Sequence, residues 1–414
     1  LHIHSRYSRA CSKQISIDNL EKYARIKGLN LLGTGDFTHP EWIKEIKSKL
    51  TEDDNGILRT KTGFPFLMQT EISLMYTAAG KGRRIHYVVL APGLDAANQF
   101  TDELGKRGRL DYDGRPIFGF DSKELIDITQ GISKETMVIP AHVWTPYFGL
   151  FGSKTGFDTV DECFGEKSKH IYALETGISS DPAMNWRISG LDKYNLVSFS
   201  DMHSFWPWRI GREATVFDCN LAYSSIFNAI KTGDGLAGTI EVKPDYGRYH
   251  LDGHAACKVC MTPDESKKHN NICPACGKPI TIGVLNRVEE LADRPKGAKP
   301  DNAKDFQTLI PLSEIIKGVF GVSMLASKKV WTEYYNLINA FGNEFSVLRD
   351  IPREKLEEIT SKAMVNAIIK GREDKINVRA GYDGEYGVPV FNEEEMAEAK
   401  TAPAKRLQRN LGDF

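Results

Sequence analysis

No stretch of the 414-residue chain approaches the roughly 18 consecutive apolar residues that a membrane-spanning helix requires, so no membrane protein is expected. Net charge is nearly absent as well: 54 Lys and Arg stand against 55 Asp and Glu, a balance of −1 at pH 7. With no global field to attract a polyanion, any such binding must come from local patches. Cysteine is scarce, seven residues unevenly placed, which excludes a disulfide scaffold and suits a reducing compartment. No secretory pattern opens the chain, and a cytoplasmic protein is expected. A P-loop is missing, and no Ser or Cys stands in a nucleophile motif. What is present is an ordinary globular composition, 41% hydrophobic and 26% charged, in a chain longer than one core usually serves.

Through about residue 245, short apolar runs alternate with helical patterns. In SIDNLEKYARIKG, Ser16 or Asp18 can cap a helix that Gly28 stops. PEWIKEIKSKL reads as the next helix, with Pro40 in its first turn. Strand-like runs include LNLLGTGD, FPFLMQTEISLMYTA, RIHYVVLAP, TMVIPAH, IYALETG and NLVSFSDMHS. Repeated βα units predict an α/β fold on a parallel sheet, open or closed into a barrel, with its site at the strand C-termini. From about 246 to 290 the chain turns loop-rich and carries cysteines. A polar linker, ADRPKGAKPDNAKD, then leads to helical patterns within 291–400, and residues 401–414 form a tail.

His2-x-His4 on a strand puts two imidazoles on one face, within reach of one metal ion. Asp201-x-His203 repeats the spacing at another strand end. Asp36 ends the second apolar run, Glu71 lies within the third and His142 follows TMVIPA. Most of these positions fall at or near predicted strand C-termini, where ionisable groups are costly unless paired or metal-bound. His86 is either a ligand or a satisfied core histidine. Asp36 is either a ligand or the cap of the helix at Pro40, and His39 a surface or capping residue. Glu175 either touches metal or supports residues that do. Mixed His and carboxylate sets suit Zn²⁺, Mn²⁺ or Fe²⁺, whereas all-oxygen sites favour Mg²⁺. Clustered divalent ions supply hydroxide at neutral pH and offset phosphate charge, so the expected reaction is hydrolysis of a phosphate ester. Asp201 would bind metal and orient the water, and His142 or His203 would protonate the leaving oxygen.

The motifs LHIHS, GTGD, QTEIS, IHYVVLAP, PAH and SDMHS occur in the order of the PHP (polymerase and histidinol phosphatase) family, which residues 1–205 resemble. The resemblance implies a PHP-type distorted (β/α)7 barrel over 1–245, with up to three metal ions at its C-terminal rim. It implies His2, His4, Glu71 and Asp201 as ligands of the more enclosed positions, completed by Asp36, His86, His142 and His203. Asp36 stands where many relatives read Thr-Asp-His, an oxygen in place of a nitrogen. Arg9 stands where relatives often carry a carboxylate, which removes one expected ligand.

Cys257-x2-Cys260-x12-Cys273-x2-Cys276 has the spacing of a zinc ribbon. Two knuckles hold one Zn²⁺ through four thiolates and leave no position for water, so a structural four-cysteine site is expected. His254 and His269 are read as bystanders.

A PHP domain, a two-knuckle insert and helices carrying GVFGVSMLASKKVWTEYYNLINAFGNEFSVL together resemble the endonuclease Q family over nearly the whole chain. That likeness implies cleavage of DNA, double- or single-stranded, 5′ to a deaminated base (uracil, hypoxanthine, xanthine) or an abasic site, with Zn²⁺, Mg²⁺ or Mn²⁺ at the active site. Such an enzyme belongs in the prokaryotic cytoplasm, with the nucleoid. Reading one damaged base requires extruding it into an aromatic-lined pocket. Trp144, Tyr147, Phe148 and Phe151 after His142, and Phe205, Trp206 and Trp208 after His203, are the candidates, with core packing as their alternative. Arg209, Lys278, Arg287, Lys317, Lys328, Lys329 and Arg379 are candidate phosphate contacts, each with a solvated charge as its alternative. Gln408, Leu411 and Phe414 resemble a box that binds the PCNA sliding clamp, with one aromatic where two are usual. Two other functions compete: a phosphatase for a small phosphate monoester, which would leave ribbon and helices idle, and a nucleic-acid-binding protein with a vestigial centre.

Overall fold

The longest ladder is a hairpin in which Gln69–Ala78 runs antiparallel to Lys81–Leu90 through ten residue pairs. Ala79 and Gly80 form its turn with φ of 49° and 72°, the left-handed pair that suits a two-residue hairpin link. So short a link cannot carry the chain back for parallel pairing. The sheet is therefore mixed, not parallel as expected. Met137–Pro140 adds antiparallel to Lys81–Leu90. Parallel pairing holds for Leu32–Gly33 with Pro65–Leu67, Ala173–Glu175 with Asn195–Val197, and Ile3 with Met202. Val143 N donates to the Glu175 carbonyl and Thr176 N to that of Val197. Neighbouring segments are thereby tied from one to the next, and residues 2–4, 36, 71, 86, 142, 175 and 201–203 are brought to one rim.

This computed structural model describes residues 1–391; the clamp-box candidates Gln408, Leu411 and Phe414 lie outside them. Its first helices follow the local signals. Ser16 Oγ accepts from Asn19 N at the start of Ile17–Lys27, and Gly28, at φ 97°, ends it. Pro40–Lys49 begins with His39 as its cap. Ile17, Leu20, Ala24, Trp42 and Ile46 from these helices enter the main core with Phe66, Ile72 and Val89 of the strands.

A second core gathers Leu312, Ile315, Tyr334, Leu337, Val365 and Ile368 from helices Leu312–Phe320, Lys328–Phe341 and Lys362–Arg372. The polar linker before it ends in a strand, Asp305–Thr308, which pairs parallel with Leu236–Glu241. The long helical pattern from Lys328 breaks at Gly342, φ 89°, and resumes as one π turn, Ser346–Asp350. Lys27 joins the two cores. Its buried Nζ donates to Glu344 Oε1 at 2.7 Å and to the Pro207 carbonyl at 2.9 Å, while Glu344 also accepts from Tyr334 Oη at 2.6 Å. Asn377–Arg379 and Val388–Val390 form a short antiparallel pair after helix Lys362–Arg372.

Candidate metal centre

At the rim, His2, His4 and Asp201 form one triad and Glu71, His86 and His142 a second, the donor atoms of each within 4.8 Å of one another. Glu71 joins the two. Its Oε1 lies 2.9 Å from His86 Nδ1, 3.3 Å from His142 Nε2 and 3.4 Å from His2 Nε2, and its Oε2 lies 3.3 Å from His4 Nε2. Asp201 Oδ1 lies 3.1 Å from His4 Nε2 and 3.7 Å from His2 Nε2.

Two further carboxylates stand behind the histidines. Asp36 Oδ1 is 3.1 Å from His4 Nδ1, and Glu175 Oε1 is 3.0 Å from His2 Nδ1. An Nδ1–H that donates to a carboxylate leaves Nε2 as the lone-pair donor and fixes the ring's direction. This corrects the reading of Asp36 as a ligand. Its Oδ2 accepts from Ser5 N at 2.6 Å and Ser8 Oγ at 2.8 Å, so both oxygens are engaged within the protein. Nor does it cap the next helix, because His39 Nδ1 accepts from Glu41 N there. Glu175 likewise supports, accepting also from His142 N at 2.7 Å.

Asp36, His142 and Asp201 all have left-handed backbones, with φ of 37°, 30° and 41°. Such conformations cost a non-glycine residue about 1–3 kcal/mol and persist where the surroundings enforce them. Gly177, at φ 70°, is part of that enforcement: a Cβ there would lie 2.6 Å from His142 Cβ.

Burial works against charge throughout the cluster, and the neighbours decide each outcome. Burial takes His86 down to about 4 against the pull of Glu71, and His203 down to about 4 against Asp201. At His4, burial is outweighed by Asp36 and Asp201, which raise it to about 9. Burial also opposes ionisation of Glu71 and Asp201. Yet His86, His2 and Arg115 hold the first, and His203, His2 and His4 the second, well below the usual carboxylate range. His2 Nε2 and Glu71 Oε1 are buried with no hydrogen-bond partner, an arrangement that is costly unless a cation lies between such atoms. The donor set thus fits divalent ions that prefer mixed nitrogen and oxygen ligands.

His203 stands outside both triads. Its Nδ1 lies 3.1 Å from the Asp201 carbonyl, which can only accept, so Nδ1 carries a proton and Nε2 is the nitrogen left free to act. His203 Nε2 is thus the atom left to serve as a ligand or to carry a proton at the centre. Arg115 was missed by sequence reasoning. Its Nη1 lies 3.2 Å from Glu71 Oε2 inside the site, yet it comes from a loop with no periodic or motif signal.

The aromatic candidates divide. Trp144 and Phe151 are buried, and Trp144 Nε1 donates to Asn185 Oδ1 at 2.8 Å, so they are core and not an open platform. Phe205 and Trp208 are buried too. Trp206 stacks on Trp208 with ring centroids 5.6 Å apart and packs against Trp331 of the second core. Phe148 and Tyr147 remain at the rim: Phe148 lies 4.3 Å from the His86 ring, and Tyr147 is 41% exposed. Among the cations, Arg287 is buried against the Phe151 and Phe157 carbonyls and Asp158, a structural tie. Lys278, Lys328 and Lys329 are exposed, while Lys317, near Glu314, Arg209 and Arg379 are half-buried.

In the cysteine module the structure alters the expected ligand set. His254, Cys257, Cys273 and Cys276 converge, with His254 Nδ1 3.5 Å from Cys276 Sγ, and Cys260 is not among them. The reason is strand alternation. Asp252–His254 pairs with Val259–Met261, so His254 faces Val259 and the next residue, Cys260, opposes Gly253 on the other face. His254, read as a bystander, takes its place. At Cys273 burial is outweighed by the backbone N–H groups of Ala275 and Cys276 and by His254, which bring the thiol down to about 7. That environment favours a thiolate able to bind zinc. The module also grips the rim: Ser153 Oγ donates to the Ile282 carbonyl at 2.9 Å.

Residues 311–375 match the family model described as the MJ0043 C-terminal domain. The chain is 29% identical over 389 residues to protein YqxK of Bacillus subtilis, covering 91% of this chain and 92% of YqxK. Over 261 residues, 61% of this chain, it is 32% identical to protein MJ0043 of Methanocaldococcus jannaschii, and the match spans only 32% of MJ0043. Among solved structures, the lesion-specific endonuclease PfuEndoQ from Pyrococcus furiosus superposes with a TM-score of 0.83 at 29% identity, covering 98% of this chain and 97% of that one. Endonuclease Q in complex with a 27-mer duplex bearing an abasic lesion at the active site gives 0.86 at 30% identity, covering 99% and 98%. Fold and donor geometry define an α/β protein whose rim carries a histidine–carboxylate cluster bridged by one glutamate. With likeness of this extent, the chain belongs to the endonuclease Q family.

Proposed function

We propose that this chain is a DNA repair endonuclease that hydrolyses the phosphodiester 5′ to a deaminated base (uracil, hypoxanthine or xanthine) or an abasic site. The observation that carries the reading is the pair of donor triads, with Glu71 of one reaching His2 and His4 of the other. The near full-length similarity to an endonuclease Q bound to an abasic duplex supports DNA as the substrate. In this reading residues 1–245 are the PHP-type unit, with the circuit of short strands supporting a distorted barrel. Residues 246–290 are a zinc module, and 291–400 a helical unit that contacts DNA.

His2, His4, Glu71, His86, His142 and Asp201 would hold divalent ions, which when bound acidify water and offset phosphate charge. Asp201, its carboxylate 28% exposed, would orient the attacking water, and His203 or His142 would carry a proton to the leaving oxygen. Arg115 supplies a fixed cation for a non-bridging phosphate oxygen. Asp36 and Glu175 keep His4 and His2 in register. Phe148 and Tyr147 offer faces to an extruded nucleotide.

The test is to incubate labelled duplexes, intact or carrying one deoxyinosine or one abasic site, with Mg²⁺ or Mn²⁺ and with EDTA. A nick 5′ to the lesion, absent in EDTA, is expected. Release of phosphate from a small monoester without any nick would overturn the reading in favour of a phosphatase.

A further inference from the structure

Beyond the rim, three guanidinium groups converge on one tyrosine. Arg209 Cζ lies 4.7 Å and Arg248 Cζ 5.2 Å from the centroid of the Tyr386 ring. Arg212, buried beneath them, bonds the Tyr386 phenol. Its Nε donates to the Ser200 carbonyl at 3.1 Å, one residue from Asp201, while its Nη1 is buried with no hydrogen-bond partner. Arg248 is exposed and its Nε donates to the Gly384 carbonyl at 2.7 Å. Among the described residues neither Arg212 nor Arg248 has an ion-pair partner. Glu213, next in the chain, is buried with both carboxylate oxygens unpartnered, so it makes no hydrogen bond to the Arg212 guanidinium. Burial pushes the Tyr386 phenol up as well, but Arg209, Arg212 and Arg248 outweigh it and bring it down to about 8. Cationic charge gathered at one place is unfavourable without an anion.

The place is continuous with the rim. Phe148 on His86 leads to Tyr147, whose ring is 6.5 Å from that of Tyr249, the neighbour of Arg248. A line of aromatic faces ending in clustered arginines is the pattern that holds a nucleic-acid strand. We infer that Arg209, Arg212 and Arg248, arrayed around Tyr386, form a subsite for a backbone phosphate of the bound strand, separate from the phosphate at the metal centre. Their planar forks suit the oxygens of a phosphodiester. The inference rests on the reading of the chain as a DNA endonuclease.

The test uses the full chain in EDTA, so that nothing is cut, with an abasic duplex as probe. Affinity is measured against NaCl for the wild type, Arg248→Gln, Tyr386→Phe and, as a control, Lys44→Gln. Each neutralised phosphate contributes about 0.7–0.9 to the slope of log affinity on log salt. Arg248→Gln should therefore lower the slope by about that amount, and Lys44→Gln should leave it unchanged. An ultraviolet titration, with Tyr386→Phe as the blank, should show the Tyr386 midpoint rising when an oligonucleotide is added. A slope in Arg248→Gln equal to that of the wild type overturns the subsite, whatever the titration does. A wild type that neither binds nor, with Mn²⁺, nicks the duplex overturns the endonuclease reading with it. The two failures are thus distinguishable.

Discussion

The rim cluster and the cysteine module are both sets of metal-type donors, yet they are assembled in opposite ways. Rim donors come from positions 2 to 201, share a carboxylate, and include left-handed residues at His142 and Asp201. The module's donors come from 254 to 276, and each offers one atom to a local group. A site that must receive substrate needs donors delivered from many elements and braced from behind, as Asp36 and Glu175 brace His4 and His2. A site that only holds a fold can be closed within a few turns. The module still reaches the chemistry indirectly, because Ser153 and Arg287 connect it to the loop that carries Phe148.

The sharpest way to separate the two is Glu71→Gln. Elemental analysis should show metal lost from the rim while zinc stays in the module. Nicking should fall on the order of a thousandfold, the rate equivalent of several kcal/mol of charge stabilisation. Glu175→Gln should act more gently, weakening rim metal affinity roughly 10- to 100-fold, as removal of a supporting partner does; equilibrium titration with Mn²⁺ checks it. Proton competition comes next. Metal-free His4 holds its proton to about 9 through Asp36 and Asp201, so apparent affinity should rise about tenfold per pH unit from pH 7 toward 9. In Asp36→Asn that rise should flatten. The smallest effect concerns stability. Glu241, buried beneath the rim, is raised from 4.5 to about 8, chiefly by burial. Its folded value exceeds its unfolded one, so stability is full below about 4.5 and declines as pH rises toward 8. Glu241→Gln should remove that decline in denaturant midpoints measured across pH.

What could be read from sequence follows the same division. Two-residue alternation on strands and placement at strand ends pointed to His2, His4, Glu71, His142 and Asp201, because those rules depend only on local geometry. Asp36 was misassigned because its role depends on which nitrogen of His4 it holds, a tertiary fact. Arg115 sits in a loop that only folding carries to Glu71. The CxxC spacing located the module, but which of Cys260 and His254 faces the group depends on ladder register. The mixed sheet was foreshadowed by Ala79-Gly80, a hairpin turn between two apolar runs that the βα reading overlooked.

The most direct measurement is anomalous diffraction from crystals grown with Mn²⁺. The account predicts two rim peaks flanking the Glu71 carboxylate, about 3.5–4 Å apart as paired catalytic ions are, and a separate zinc peak amid His254, Cys257, Cys273 and Cys276. A rim without metal density in a protein that still nicks DNA would contradict it.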